Sequence, residues 1–200
     1  MVVEEIYRAD KEAALDTLCE AFYDYPVMRS SLADTGDAYG SQLRAMIDLF
    51  CENRLYRNQP LHVIRDGQVC LGVAVCSGTE RIPQPPELSA LERQVNEMMG
   101  EAAVARLRAY DVLCEAWEPD FPTHYLGMIG VRNDQQGQGI GKLLVEHLKD
   151  VVRADEASGG LCLNTETAKN VPIYERLGFT VQAEAQNEDL HTWCMFWKCE

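Results

Sequence analysis

Apolar residues recur along the first part of the chain at spacings that predict a strand and two helices. Residues 3–7 predict the first strand. Apolar positions 13, 15, 18, 19 and 22 share one face of a helix that begins after Asp10 as its N-cap. The segment 24–28, which contains a proline, ends that helix. Residues 42–56 carry another apolar stripe and predict the next helix.

The next segment predicts a β-hairpin followed by a long helical stretch. Residues 61–76 are rich in β-forming residues, with Asp66 and Gly67 at the turn. The second arm is apolar at almost every position, so we expect it to be a central strand. After a proline-rich loop at 83–86, residues 88–117 predict a helical segment with a break at Gly100.

The second half contains a glycine-rich turn between an apolar strand and an amphipathic helix. Residues 125–131 predict the strand, residues 143–149 predict the helix, and Gly137, Gly139 and Gly141 lie between them. Such a turn presents several backbone N–H groups at the positive N-terminus of a helix, and glycines let an anion approach the backbone closely. The turn therefore predicts a phosphate-binding site.

Four interpretations of this turn remain open on its residues alone. A Walker A loop requires Ser or Thr where the chain has Leu143, and a dinucleotide fingerprint requires glycine where it has Lys142. The turn also comes late in the chain, whereas a dinucleotide loop opens an early βαβ unit. The other two interpretations are the pyrophosphate loop of an acyl-CoA-binding enzyme and a plain glycine-rich connection.

A second motif follows about thirty residues after the first. Residues 161–166 predict a strand, and Asn170 and Pro172 begin a short helix that ends at Gly178. The segment has the pattern N-x-x-x-Y-x-x-x-G-F, with Tyr174 as its tyrosine. Taken alone, Tyr174 is better explained as an ordinary core or helix-surface residue.

Together the two motifs resemble those of the GNAT acyltransferase superfamily, whose loop signature is matched by Gln136, Gly139 and Gly141. The stretch 163–181, with residues 192–195, is similar to puromycin N-acetyltransferase and its relatives. The resemblance implies one α/β (α+β) domain over 1–200, with a helical insertion at about 88–117. It also implies a mixed, mostly antiparallel, twisted sheet of six to seven strands, which is splayed between strands four and five and flanked by helices.

The resemblance further implies acetyl-CoA as co-substrate. The loop N–H groups are expected to face the pyrophosphate, the edge of the fourth strand to pair with the pantetheine arm, and Asn170 to hydrogen-bond that arm. Arg132, Lys142 and Lys169 are expected to offset the negative charge. The residues implied in cofactor binding are Ile129, Gly130, Val131, Gln136, Gly137, Gln138, Gly139, Ile140, Gly141, Lys142 and Asn170.

Two catalytic tasks remain, a general acid and a general base. Tyr174 is the candidate acid, because a phenol with a pKa near ~10 stays protonated at neutral pH and roughly matches a thiol leaving group. Relatives often carry a glutamate base in the fifth strand, where this chain has Asn164. Glu166, two residues on, is the first candidate base, and His124 is the second. A water chain or an amine that arrives neutral would also suffice, and Glu166 is alternatively a solvated loop residue.

Composition narrows the partners. The chain has 200 residues and a formal net charge of −14, which argues against nucleic acid and an acidic membrane surface. The negative charge attracts a cationic amine or serves only solubility. Eight cysteines without metal-ligand spacing are predicted to be core residues in a reducing compartment, and no metal is expected; a nucleophilic cysteine is the alternative. Without a recognisable signal segment or membrane span, we expect a cytoplasmic protein.

The sequence thus predicts direct transfer of an acetyl group from acetyl-CoA to a primary amine of a small molecule, by a monomer or homodimer. Alternatives are a protein or peptide N-acetyltransferase and a non-catalytic acyl-CoA sensor. The first two helices are expected to line the acceptor site. The insertion at 88–117 is expected to belong to the acceptor pocket or to an oligomer interface, or else only to cover the sheet.

Overall fold

One mixed sheet organises the part of the chain that the computed structural model describes, namely residues 1–80, 82–115, 117, 119–187 and 190–199. Among these residues the strands are β1 (Val3–Ile6), β2 (Leu61–Asp66), β3 (Val69–Ser77), β4 (His124–Val131), β5 (Gly160–Thr165), β6 (Thr180–Gln186) and β7 (His191–Lys198). Their order across the sheet is β1-β2-β3-β4-β5-β7-β6. Within the described strands only β4 and β5 pair in parallel.

Helices connect the strands and cover both faces of the sheet. In the described ranges the α-helices are α1 (Lys11–Phe22), α2 (Pro26–Ser31), α3 (Tyr39–Leu55), α4 (Pro86–Met99), α5 (Glu101–Glu115), α6 (Ile140–Ala154) and α7 (Val171–Arg176). No helix within those ranges is long and apolar enough to cross a membrane.

Each face of the sheet buries its own apolar core. On one face Leu18 of α1 and Val73 of β3 are fully buried, and on the other Leu148 of α6 and Ala74 of β3 are fully buried. Burial of apolar surface is the main favourable term in folding, so the two helical layers hold the sheet between them. The burial of β3 on both faces confirms the prediction that the apolar arm of the hairpin is central.

The sheet parts between β4 and β5. The two strands pair over three residues only, from His124–Leu161 to Leu126–Leu163, although β4 continues beside β3 to Val131. The register between β3 and β4 shifts at this point, so that Gly127 is an additional residue in β4. An additional residue bends the strand that carries it, and we attribute the parting of β4 from β5 to this bulge. The splay that the resemblance implied is therefore present.

A close contact between α1 and β4 lies next to the parted strands. A Cβ atom placed on Gly130 would lie 2.9 Å from the Cβ of Ala21 and 3.2 Å from Cδ2 of Leu18. Glycine at position 130 therefore allows α1 to pack directly on the backbone of β4. This packing requirement is separate from the cofactor role expected for Gly130.

The predicted elements agree with the structure except at their ends. α3 begins at Tyr39 instead of residue 42, and β5 ends at Thr165 instead of Glu166. The insertion does divide at Gly100, whose φ is +83°. Asp10 precedes α1, but its side chain makes no capping hydrogen bond, so its predicted role as a side-chain cap is wrong. Its backbone continues a short 3-10 turn into the helix instead of taking the extended conformation typical of an N-cap.

We expect Gly130→Ala to destabilise the protein. The added methyl overpacks a contact with Ala21, whose Cβ cannot move without its helix, so the free energy of unfolding should fall by about 1–3 kcal/mol. Gly40→Ala is the matched control, since Gly40 lies in α3 with no atom within 4 Å of an added Cβ. It should be neutral or slightly stabilising. Denaturant unfolding of the three proteins tests this, and coincident curves for Gly130→Ala and the wild type would contradict it.

Candidate functional site

The glycine-rich connection leads from β4 into α6. A 3-10 turn at Asn133–Gln135 is followed by Gly137 and Gly139, whose φ angles are +78° and +83°. An added Cβ at either glycine would meet no protein atom within 4 Å. The protein therefore needs glycine at these two positions because the backbone there is left-handed. This reason differs from the one inferred from the sequence, which was close approach of an anion to the backbone.

The N-terminus of α6 is held against the sheet by a second glycine contact. A Cβ on Gly72 of β3 would lie 2.6 Å from Cγ2 of Ile140, the first residue of α6. Ile140 is 1% exposed, so its side chain fills the space above the glycine. This packing places the positive end of the helix dipole beside the end of β4.

An open groove of about 2050 Å³ joins this loop to the parted strands, and we call it the loop groove. Its walls include every residue expected to bind cofactor except Gln138. The side-chain amide of Gln138 instead donates a 3.0 Å hydrogen bond to Oε1 of Gln135. The structure thus brings the two sequence motifs together along one groove.

Three cationic side chains line the loop groove: Lys142, Lys169 and Arg176. None of them forms an ion pair with another described residue. Arg132, which was expected to assist them, does not line the groove, because its guanidinium lies 3.2 Å from Asp134 and 3.9 Å from Glu20. Arg176 therefore takes the place that the sequence analysis gave to Arg132.

A second cavity, the inner cavity, lies between the parted strands and the helices α1, α2, α3 and α5. Its apolar and aromatic walls include Phe22, Tyr25, Met28, Leu107, Tyr110 and Tyr125. Its polar walls include Arg54, Asp111, Asn164 and Glu166. The expectation that the first two helices line an acceptor pocket agrees with this geometry. The insertion also contributes to the cavity through α5, and its two helices pack against α2 and α3.

Glu166 is a buried carboxylate on the wall of the inner cavity. It is 8% exposed, so the alternative of a solvated loop residue is wrong. The Tyr110 hydroxyl donates a 2.7 Å hydrogen bond to its Oε1, and its backbone N–H donates to the Tyr25 hydroxyl at 3.2 Å. Burial raises the pKa of Glu166, although the hydrogen bonds from Tyr110 and Tyr25 act against that rise. A carboxylate with a raised pKa is a stronger base than an exposed one.

Tyr174 lies where the two cavities meet. It lines both the loop groove and the inner cavity, as do Tyr25 and Asn170. Burial, with a smaller contribution from the charge of Glu166, raises the pKa of Tyr174 to about 12. The phenol therefore stays protonated at neutral pH, as expected, but it is a weaker acid than the match with a thiol assumed from the sequence.

His124, the second candidate base, lies elsewhere. It is the first residue of β4 and is not among the residues lining the loop groove or the inner cavity. Its Nδ1 is 3.0 Å from the Ser158 hydroxyl, and its Nε2 is 3.8 Å from Asp155. Burial lowers the pKa of His124. The structure therefore does not bring His124 together with Tyr174. His124 begins β4, whereas the glycine loop follows the other end of that strand.

Two asparagines complete the polar walls. Asn164 lines the inner cavity and donates a 3.2 Å hydrogen bond to the Tyr125 hydroxyl. Asn170 donates a 3.1 Å hydrogen bond to Oγ1 of Thr165, which holds the start of α7 against the end of β5. Asn164 thus holds a neighbouring phenol at the position where relatives often carry a glutamate.

Four residues of the site are indicated by no sequence motif: Tyr25, Arg54, Tyr110 and Arg176. Tyr110 lies in a segment predicted only to be helical, and Tyr25 lies in a segment predicted only to end a helix. Both tyrosines contact Glu166, from which they are far apart in sequence. Tyr110 is 56 positions away from Glu166, and Tyr25 is 141 positions away. No local spacing encodes such contacts.

The cysteines and one histidine cluster lie apart from this chemistry. Cys51 and Cys76 are buried free thiols, and burial raises the pKa of each to about 12, which opposes a nucleophilic role. Ligand atoms of Glu5, His62 and His147 lie within 4.8 Å of one another, but none of these residues lines either cavity. His62 Nδ1 is 3.1 Å from His147 Nε2, a distance that a hydrogen bond between the two rings explains.

Comparison with known proteins connects this geometry to a family. A family model described as an acetyltransferase (GNAT) domain matches residues 91–181, which run from α4 to the start of β6. A curated relative, a 5-NmdU N-acetyltransferase of Pseudomonas phage PaMx11, is 36% identical over 64 residues. The match covers 32% of this chain and 44% of the relative, so the similarity spans less than half of that protein's length.

Solved structures share the fold over almost the whole chain. A histone acetyltransferase HPA2 and related acetyltransferase from Corynebacterium glutamicum superposes with a TM-score of 0.71 and 22% identity, covering 98% of this chain and 95% of the other. An arylalkylamine N-acetyltransferase 2 from Aedes aegypti has a TM-score of 0.60 and 15% identity, with 99% and 98% coverage. The ribosomal-protein-S18-alanine N-acetyltransferase of Escherichia coli has a TM-score of 0.58 and 15% identity, with 100% and 94% coverage. At such identities the likeness concerns the fold alone.

Proposed function

We propose that this chain, which a GNAT acetyltransferase domain model matches over residues 91–181, is a GNAT N-acetyltransferase that transfers an acetyl group from acetyl-CoA to a primary amine of a small molecule. The observation that carries the proposal is the position of Tyr174 at the junction of two cavities. One cavity has the features of an anion site, and the other holds a buried carboxylate. A donor and an acceptor that enter from the two sides would meet beside Tyr174.

The loop groove fits the phosphates and the arm of coenzyme A. The left-handed glycines at 137 and 139 leave open space beside the backbone, and Lys142, Lys169 and Arg176 supply positive charge. Beyond Leu126, β4 has no partner on its β5 side, so its edge can hydrogen-bond an amide-bearing chain as a further strand would. The bound thioester would supply the acyl group.

Glu166 and Tyr174 would then assist the two halves of the reaction, which are attack by the amine and departure of the thiolate. Glu166 accepts a proton from the amine, whose nitrogen forms a bond to the acyl carbon as the carbon–sulfur bond breaks. The Tyr174 phenol donates a hydrogen bond to the departing sulfur and stabilises the negative charge that develops there. The thiolate then takes up a proton from water, and Glu166 releases the amine proton to water, so the products are an amide and a free thiol.

The shape of the inner cavity supports a small acceptor. Helices α1, α2, α3 and α5 all contribute to its walls, and aromatic rings form much of the lining. Such an enclosure suits a compact amine better than an extended peptide. The resemblance of residues 163–181 to puromycin N-acetyltransferase and its relatives also supports a small-molecule acceptor, but it does not identify puromycin. The free cysteines support a reducing compartment such as the cytoplasm.

A panel of acceptors tests the proposed activity. Thiol release from acetyl-CoA is measured with aryl and alkyl amines, with puromycin and with peptides that have free N-termini. We expect turnover on small primary amines and little on peptides. Faster turnover on peptides would favour a protein N-acetyltransferase, and tight acetyl-CoA binding without turnover on any acceptor would favour a sensor.

Tyr174→Phe should lower kcat by ten-fold or more and leave acetyl-CoA affinity nearly unchanged. The substitution removes the phenol hydrogen bond to the sulfur but keeps the ring in its place. Steady-state kinetics and calorimetric titration with coenzyme A check the two parts. Full turnover by the phenylalanine variant would rule out the role proposed for Tyr174.

The pH dependence of kcat/KM should report the ionisation of Glu166. A base must be deprotonated, so activity rises with pH through the pKa of Glu166, which burial places above its usual value of 4.5. Tyr110→Phe removes a hydrogen bond that favours the charged carboxylate, so the rising limb should move to higher pH. Glu166→Gln should lose that limb and most of the activity. The amine's own ionisation is the same for all three enzymes, and an unchanged limb in both variants would contradict the assignment.

A further inference from the structure

The inner cavity contains a cationic side chain that the acyl-transfer chemistry does not use. Arg54 lies in the last turn of α3 and lines the cavity together with Glu166 and Tyr174. It is partly buried, and its guanidinium makes no hydrogen bond or ion pair with any residue in the described part of the chain. Arg57, three positions on, shows the contrast, since its guanidinium donates to the Asn53 side chain at 2.6 Å.

No other arginine among the described residues is partly buried and without a partner. Arg93, Arg108 and Arg176 also have no hydrogen-bond or ion-pair partner among the described residues, but all three are exposed to solvent. Arg106, which is partly buried, donates to the Ser31 carbonyl oxygen at 2.9 Å and pairs with Asp34. Position 54 is therefore a distinct case and not a general property of the arginines in this protein.

A buried charge without a counterion is unfavourable. Burial lowers the pKa of the Arg54 guanidinium, but an arginine remains charged at neutral pH. An anion that binds beside the guanidinium would offset the cost of partly withdrawing this charge from water. The planar guanidinium matches a carboxylate, with which it forms two parallel hydrogen bonds.

We propose that the acceptor amine also carries a carboxylate, and that Arg54 is the residue that binds it. The proposal rests on the proposed acetyl transfer, for which Glu166 and Tyr174 mark the position of the amine. Much of the remaining lining of the inner cavity is apolar and aromatic, with Met28, Leu107 and Tyr125 among it. The substrate class is therefore an amino acid or a related aromatic amine that bears a carboxylate.

A single carboxylate fits this cavity better than a phosphate. Arg54 supplies one positive charge, whereas Asp111 and Glu166 already place carboxylates on the same walls. A phosphate near neutral pH carries close to two negative charges, and the second would find no partner there. Arg54 is thus a specificity-determining residue for one monoanionic group.

Matched pairs of acceptors test the proposal by kinetics. Phenylalanine is compared with phenethylamine, and 4-(aminomethyl)benzoate with benzylamine, so that each pair differs only in the carboxylate. Wild-type enzyme should prefer at least one carboxylate-bearing member by ten-fold or more in kcat/KM. Arg54→Met should remove that preference by raising the KM for the carboxylate-bearing acceptor. Arg54→Lys should restore part of the preference. Arg93→Met, the control variant, should retain the full preference.

The kinetic outcomes separate the two proposals. If wild-type enzyme acetylates neutral amines as well as their carboxylate-bearing partners, acetyl transfer holds and the carboxylate site is wrong. An equal loss of activity on both members of a pair in Arg54→Met would also overturn the carboxylate site. Turnover on no amine at all would count against the acetyl transfer itself, and the carboxylate site is then decided by binding.

Thermal unfolding gives a readout that needs no turnover. Arg54→Met should raise the melting temperature of the ligand-free protein, because it replaces a partly buried, unpaired charge with an apolar chain. The probe 3-phenylpropionate, at about ten times its Kd, should raise the melting temperature of the wild type by about 3 °C. The probe should leave the melting temperature of Arg54→Met unchanged. Phenethylamine, which has no carboxylate, is the control ligand. A lower melting temperature for ligand-free Arg54→Met, or an equal response of both proteins to the probe, would overturn the proposal.

Discussion

The parting of β4 from β5 is the constraint on which the rest of this structure depends. A sheet whose strands pair along their full length has no opening between neighbours. Here the bulge at Gly127 bends β4 after only three paired residues, and an edge of hydrogen-bonding groups is left open inside the sheet. The loop groove and the inner cavity approach this opening from two sides, and Tyr174 lines both.

The electrostatics of the site follow from what surrounds the opening. On the loop side, a helix N-terminus and three cations without ion-pair partners among the described residues face the groove, although the chain as a whole has a formal net charge of −14. On the inner side, aromatic rings line the same cavity as Glu166 and Arg54. A low-dielectric environment strengthens the interaction of each charged group with a partner of opposite sign. One acidic protein can therefore hold an anionic donor at one position and recognise a substrate group at another.

Much of the fold was predictable because it depends on local patterns. The apolar spacing of α1 and α3, the turn at Gly67 and the break at Gly100 are properties of neighbouring residues. The phosphate loop and the segment around Tyr174 were recognisable for the same reason, since each motif is contiguous. Element ends were less accurate, as at Asp10, because a cap depends on the backbone conformation of a single residue.

The sequence by itself determined the order of the elements, the glycine loop, the tyrosine that follows it and hence the resemblance to the GNAT superfamily. The tertiary structure decided which carboxylate is buried, that His124 lies away from Tyr174, and that Arg54 has no partner in the described part of the chain. These properties depend on residues far apart in sequence, such as Tyr110 and Glu166, whose hydrogen bond spans 56 positions. Burial and charge pairing are set by packing between elements, and packing is not encoded in the spacing within any one of them.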